Sequence, residues 1–312
     1  MNITFEHHGR VQNENRKISM ISLGCDPCTA REASTIEIER EEAPGTVEGT
    51  TMIQMLTAPW RALLHVWTAA VPYIVYRAWH GIDQFGGSIV ATRTQVIILT
   101  ILKMGPAMLC AASVLTLKKR TGFLVGFLFC ALGDALLQMD GRGGYPSLFV
   151  PGLAAFLIGH VCFVAGFYKM GGNKRESEAT AVTLLLAAGI VCLLWDGLDP
   201  TDTVLCVALP VYAFTIATMS NRAVSLYRSL VNASAEQRLC GQCAVLGAVI
   251  FMVSDTLIAV DRFKYELGAW RNLYIEATYF TAIALISVGA LVEEDGAEVE
   301  KRRKKMKHAH AS

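Results

Sequence analysis

The feature that most constrains this chain is a series of apolar runs, each close to the roughly 20 residues that a helix needs to cross a bilayer. The runs follow one another after Thr57, and breaks rich in glycine or charge separate them. We predict eight transmembrane helices over residues 59–79, 94–117, 121–140, 146–169, 179–195, 201–220, 240–261 and 273–292. The chain is therefore expected to fold as an all-α, polytopic membrane protein.

Composition supports this class. Apolar residues make up 53% of the chain and charged residues only 18%, with the charges concentrated in the two tails, whereas soluble domains carry about 25% charged residues. The formal net charge of +1 gives no basis for electrostatic attraction to nucleic acid. Most of the nine cysteines lie singly inside apolar runs, so we interpret them as small buried side chains and not as a disulfide framework.

The two ends differ from this middle. Residues 1–57 mix charged residues with Ser, Thr, Gly and Pro without an apolar period, which predicts a disordered leader. A single C-x-x-C motif, Cys25 to Cys28, lies within it without the second pair that a zinc site needs. The transmembrane domain is then expected over 58–292, and a basic cytoplasmic tail over 293–312.

The distribution of lysine and arginine predicts the orientation. The breaks after the second, fourth and sixth spans, together with the tail sequence KRRKKMK, carry more than twice the basic residues of the opposite breaks. The positive-inside rule places this side, and with it both termini, in the cytoplasm. We expect a multi-pass protein of the endoplasmic reticulum or another endomembrane.

Four ionisable side chains fall at membrane depth, where each costs about 2.5 to 3.5 kcal/mol on insertion scales and so requires a reason. They are Lys103, Asp134, His160 and Asp255. The two aspartates each precede the polar end of their predicted span by six residues, or about 9 Å at helical rise, and Lys103 lies close to this level. Two carboxylates and a cation at one depth predict a polar cavity, although a purely structural ion pair with Lys103 is the alternative.

Glycine spacing and an internal sequence similarity indicate how the helices pack. Gly122 and Gly126 form a G-x-x-x-G pair, and the fourth span has glycines at seven-residue intervals, which favours close helix approach. The segments around Asp134 and Asp255 also resemble each other at an offset of 121 residues. This internal similarity indicates two parallel four-helix repeats, and the alternative is a chance similarity between apolar helices.

No metal or cofactor is predicted. The spans contain no H-x-x-x-H or H-E-x-x-H motif, no P-loop and no G-x-S-x-G elbow. We interpret His160, flanked by Phe156 and Phe163, as a core histidine rather than a metal ligand.

Several motifs together resemble the lysoplasmalogenase (YhhN-like) family of integral membrane proteins. They are LGDALL at Asp134, PGLAAFLIGH ending at His160, LPVY ending at Tyr212, GAVIFMVSD ending at Asp255, and TYF around Tyr279. The chain departs from the family at Phe163, where a Tyr is frequent, and at Ile283, where a Gln is frequent.

The resemblance implies a membrane enzyme that hydrolyses the vinyl-ether bond of lysoplasmalogens to a fatty aldehyde and a glycerophospho-alcohol. It also implies that Asp134 and Asp255 are catalytic, with supporting or substrate-binding roles for Lys103, Gln138, His160, Tyr212 and Tyr279. The partners expected are a lysophospholipid substrate and membrane lipids, with the oligomeric state left open.

This chemistry suits two carboxyl groups. A vinyl ether hydrolyses by protonation at carbon, which forms an oxocarbenium ion that water captures. The reaction needs one neutral carboxyl group as acid and a second carboxylate to stabilise the cation or activate water. The residues leave open which aspartate is the acid, and they also allow a transporter or lipid-binding receptor that uses the same buried Asp and Lys set.

Overall fold

The computed structural model describes residues 47–79, 92–115, 120–143, 148–172 and 177–291. These residues form eight α-helices and a single turn of 3-10 helix at Gly268–Trp270. The helices are α1 (Val47–Trp79), α2 (Arg93–Leu115), α3 (Thr121–Gly143), α4 (Phe149–Lys169), α5 (Ser177–Trp195), α6 (Thr203–Ser229), α7 (Ala235–Phe263) and α8 (Arg271–Gly289). The all-α prediction is confirmed for the described residues.

Each predicted span corresponds to one helix, with differences at the ends. The largest is in α1, which begins at Val47, inside the segment 1–57 that we expected to be a leader; the rest of that segment, with Cys25 and Cys28, lies outside the described residues. Polar segments extend α6 to Ser229 and begin α7 at Ala235, because hydropathy marks only the apolar part of a helix.

Six of the helices, α2 to α7, are long and apolar enough to cross a membrane. The described parts of α1 and α8 fall short of that composition, since they carry charged residues such as Arg77 and Glu276. α8 is nevertheless among the most buried helices, with an uninterrupted buried run from Ala282 to Gly289. The charged residue of α8, Glu276, is thus accommodated inside the protein.

Seven of the helices form a closed ring. Going around it, each helix packs against the next in the order α1, α2, α3, α4, α6, α7, α8, and α8 returns to α1. α5 lies outside this ring and packs mainly against α6. The ring places the inner faces of α3, α7 and α8 around one common core.

The glycines of α3 and α4 allow these helices to approach closely, as their spacing predicted. A Cβ on Gly122 would lie 2.9 Å from the backbone oxygen of Cys162. One on Gly133 would lie 2.5 Å from the ring of Phe156, so this ring occupies the space of a side chain beside Asp134. The glycine at 133 therefore brings an aromatic wall next to the predicted catalytic residue.

Candidate active site

Asp134 lies on the inner face of α3 and is only 2% exposed. Phe127, Cys130 and Gln138, on the same helical face, are buried with it. Its carboxylate oxygen Oδ2 accepts a hydrogen bond of 2.7 Å from the hydroxyl group of Tyr279 on α8. The ring of helices thus holds this carboxyl group at a fixed orientation through a donor from a neighbouring element.

Asp255, on α7, has a matching arrangement. Its Oδ2 accepts a hydrogen bond of 2.6 Å from the hydroxyl group of Tyr212 on α6. The Nε2 atom of His160, on α4, lies 3.4 Å from the same oxygen. Each aspartate therefore has a tyrosine hydroxyl partner, and Asp255 has a histidine neighbour in addition.

His160 is completely buried. Its Nδ1 atom lies 2.7 Å from the backbone oxygen of Phe156, and because that oxygen can only accept, Nδ1 carries a hydrogen. This bond fixes the ring so that Nε2 is directed at Asp255. His160 is thus a core histidine, as we interpreted it, but one whose second nitrogen faces an aspartate.

Aromatic rings join the two aspartate sites. The ring of Phe251 packs edge-on against both His160 and Tyr279, at centroid distances of 4.6 and 5.5 Å. Phe156 packs in the same way against Tyr279. Tyr279 bonds to Asp134, and His160 lies beside Asp255, so Phe251 connects the neighbours of the two aspartates. The two acids lie in one aromatic core rather than at separate places in the bundle.

Asp255 is one of the residues that line an apolar cavity between the helices. Its wall is apolar apart from Asp255 and the hydroxyl group of Tyr212, and it is formed by α3, α4, α6 and α7. The other lining residues are Leu137, Phe149, Leu153, Phe156, Leu205, Leu209, Ile258, Ala259 and Phe263. Asp134 does not line it and lies behind this wall. The cavity is suited to an apolar ligand that presents a reactive group to Asp255.

A polar network lies on the other side of Asp134. Its centre is Glu276 on α8, whose Oε1 atom is 3.0 Å from the Nζ atom of Lys103 on α2. The hydroxyl oxygen of Tyr73, on α1, lies 3.3 Å from Glu276 Oε1 and 3.1 Å from Gln138 Oε1, and its one hydrogen can be donated to either. Arg77 donates to Tyr73 at 2.6 Å. Four helices are therefore joined by buried charges and hydrogen bonds next to Asp134.

The sequence-predicted residues accordingly fall into two adjoining groups. Lys103, Gln138 and Tyr279 surround Asp134, whereas His160 and Tyr212 surround Asp255. The direct partner of Lys103 is Glu276 and not an aspartate, although Lys103 also interacts electrostatically with Asp134.

Sequence reasoning missed Glu276, Tyr73 and Arg77. Glu276 could have been found, since it is an ionisable residue inside the predicted span 273–292 and precedes Tyr279 by three residues on the same helical face. Tyr73 and Arg77 likewise lie one turn apart in the predicted span 59–79. Among the described side chains, no group of three or more His, Cys, Asp or Glu residues is placed to hold a metal ion.

Comparison with known proteins identifies the same family as the sequence motifs. The model of the YhhN family matches residues 97–290. Lysoplasmalogenase TMEM86B from Homo sapiens is 32% identical over 189 residues, which are 59% of this chain and 71% of the relative. Lysoplasmalogenase TMEM86A from Bos taurus is 29% identical over 185 residues, with the same coverage. A lysoplasmalogenase from Mycobacterium bovis is 27% identical over 47% of this chain and 51% of its own. No solved structure is significantly similar to the chain.

Proposed function

The chain belongs to the YhhN family, and we propose from this premise that it is an integral membrane lysoplasmalogenase. The substrate is a lysoplasmalogen with a choline or ethanolamine headgroup, and the products are a fatty aldehyde and a glycerophospho-alcohol. The observation that carries the proposal is the apolar cavity whose lining includes Asp255. Such a cavity can hold an alkenyl chain and bring its vinyl-ether carbons to an acid.

In the proposed mechanism, Asp255 is the acid. It is the aspartate that lines the cavity, and the hydrogen bond from Tyr212 to Oδ2 leaves Oδ1 to carry the proton. Asp255 donates this proton to the vinyl carbon remote from the ether oxygen, and the carbon next to the oxygen becomes part of an oxocarbenium ion. A neutral carboxyl group in an apolar wall is suited to this step, because its charge appears only as the substrate becomes a cation.

Asp134 is the second carboxylate. It lies behind the cavity wall, and it is oriented by Tyr279. From there its negative charge stabilises the oxocarbenium ion through the low-dielectric core, without touching the substrate in the ground state. Water adds to the cationic carbon and gives one proton back to Asp255. The resulting hemiacetal loses the glycerol oxygen, which takes up the hydroxyl proton, and the aldehyde is released.

The membrane arrangement belongs to the same proposal. In this arrangement all eight helices cross the membrane and both termini lie in the cytoplasm. α1 and α8 can insert because their charged residues face each other in the polar network around Glu276. The protein is placed in the endoplasmic reticulum or another endomembrane. The tails 1–46 and 292–312 have no part in the chemistry. The lipid substrate then enters from the bilayer, where its chain is already dissolved.

Purified protein in a non-ionic detergent tests the function. It is incubated with 1-alkenyl-glycerophosphoethanolamine and, separately, with the 1-acyl lysolipid of equal chain length, and fatty aldehyde and fatty acid are measured. Aldehyde from the first substrate and no fatty acid from the second is expected. Saturable lipid binding without aldehyde from either would overturn the hydrolase and favour a lipid-binding receptor.

A further inference from the structure

Arg262 lies next to two aromatic residues that line the cavity. It follows Asp255 by seven residues on α7, two helical turns along the same face, or about 10 Å at helical rise. Its guanidinium group lies over the ring of Phe149, with the Cζ atom 4.6 Å from the ring centroid. Phe149 and Phe263 both line the cavity and pack edge-on against each other. We call Phe149, Arg262 and Phe263 the rim.

Two neighbouring basic groups, Lys264 and Arg271, are each paired with a carboxylate. Lys264 forms an ion pair with Asp196, and its hydrogen bond holds the pKa of that carboxyl group below the ordinary value. Arg271 lies 3.5 Å from the carboxylate of Asp261. Arg262 is exposed, and no carboxylate of the described residues pairs with it. The rim thus presents an uncompensated positive charge directly beside an apolar cavity.

We propose that Arg262 binds the phosphate group of the lysophospholipid substrate while the vinyl ether lies at Asp255. This inference rests on the proposed function and names the part of the substrate that is recognised at the rim. Six covalent bonds separate the vinyl carbon next to the ether oxygen from the phosphorus atom, or roughly 8 Å when extended. That length is comparable to the roughly 10 Å that separate Asp255 and Arg262 along α7.

The chemistry of the rim also suits this ligand. A guanidinium group binds phosphate through two parallel hydrogen bonds and is more weakly hydrated than an ammonium group. The face of Phe149 supports the guanidinium plane, so the side chain loses less freedom when the ligand binds. Phosphate recognition by Arg262 would place the glycerol between the rim and Asp255 and leave the alkenyl chain to the apolar wall.

The test compares two substrates of equal alkenyl chain. One is 1-alkenyl-glycerophosphoethanolamine and the other is 1-alkenyl-glycerol, which has the same vinyl ether and no phosphate. Both are presented to the full-length protein in a non-ionic detergent without added phospholipid. The variants are Arg262→Gln and Arg262→Lys, with Arg271→Gln as the matched control, since Arg271 is a paired arginine at the same end of the bundle.

Arg262→Gln is expected to raise KM for the phospholipid about tenfold or more with kcat little changed, and to leave both constants for 1-alkenyl-glycerol unchanged. Arg262→Lys should retain part of the affinity, and Arg271→Gln should behave as the wild type. An equal rise in KM for both substrates would show that Arg262 acts by packing on Phe149. An unchanged KM for both would show that Arg262 does not bind the substrate and contacts only membrane lipids. Each result overturns the proposal.

The unmodified protein provides a second measurement should Arg262→Gln fail to fold. Its kcat/KM is expected to be at least tenfold lower for 1-alkenyl-glycerol than for the phospholipid, and equal values would refute phosphate recognition. Failure of the wild type to release aldehyde from either substrate would instead refute the proposed function. The two failures are therefore distinguishable.

Discussion

Replacement of either aspartate by asparagine should lower turnover by about 10²-fold or more. Asn keeps the shape of the side chain, and its amide oxygen can still accept the hydrogen bonds that Tyr279 and Tyr212 donate at 2.7 and 2.6 Å. What is lost is the proton of Asp255 or the charge of Asp134. General acid or base catalysis is typically worth 10²- to 10⁴-fold, so a loss of 10² corresponds to about 2.7 kcal/mol of transition-state stabilisation.

The double variant Asp134→Asn with Asp255→Asn is the sharper measurement. Independent contributions would multiply to a loss of about 10⁴-fold, whereas two groups that act on one oxocarbenium transition state are not additive. We expect the double variant to lose less than tenfold beyond the worse single variant. Thermal stability in detergent should be unchanged or higher, because a costly buried charge is removed.

Aldehyde release from 1-alkenyl-glycerophosphoethanolamine is the assay, with kcat and KM determined separately. The matched control is Thr256→Val, next to Asp255 on α7, whose hydroxyl group bonds only to the backbone of its own helix; it should retain wild-type turnover. Normal turnover by either Asn variant, or fully multiplicative losses in the double variant, would refute the paired mechanism.

Three further outcomes are expected. Deletion of residues 1–46 and 292–312 should leave turnover in detergent within about twofold, since every residue of the proposed site lies between Tyr73 and Tyr279; a large loss with folding preserved would refute this. A cysteine placed at the exposed Pro200 and one in the C-terminal tail should react with an impermeant thiol reagent from opposite sides of the membrane, and labelling from one side would contradict eight spans. Glu276→Gln should lower the melting temperature by several degrees, because it leaves Lys103 as a buried, unpaired cation. The double variant Glu276→Gln with Lys103→Met should recover most of this stability, and no recovery would contradict a direct pair.

The helices and their packing could largely be predicted from sequence. Apolar runs of bilayer length are a strong signal, because an unpaired backbone cannot exist in lipid and a helix is the usual solution. The glycine spacing in α3 and α4 correctly indicated a close contact, as Gly122 and Cys162 demonstrate. The ends of the helices were less predictable, since the polar turns that extend α6 and α7 beyond their apolar runs carry no apolar signal.

The partners of the ionisable residues could be predicted only in part. Depth along the helix predicted one polar cavity that holds Asp134, Asp255 and Lys103. In the structure only Asp255 lines the cavity, which is apolar, because Asp134 is directed at Tyr279 and Lys103 at Glu276. Depth could not say which neighbour pairs with Lys103, since that depends on how the ring closes and brings α8 beside α2. Glu276 could have been noticed as an ionisable residue inside a predicted span, but its contacts with Lys103 and Tyr73 become evident only in the structure.

The pairing of Lys103 with Glu276 has a consequence for biogenesis. Lys103 belongs to α2 and Glu276 to α8, so the lysine is synthesised more than 170 residues before its carboxylate partner. In the proposed membrane arrangement the cation must remain hydrated or shielded until α8 arrives. A nascent chain truncated before α8 would therefore expose a charge that quality-control machinery can recognise, and pairing with Glu276 would be the step that removes it.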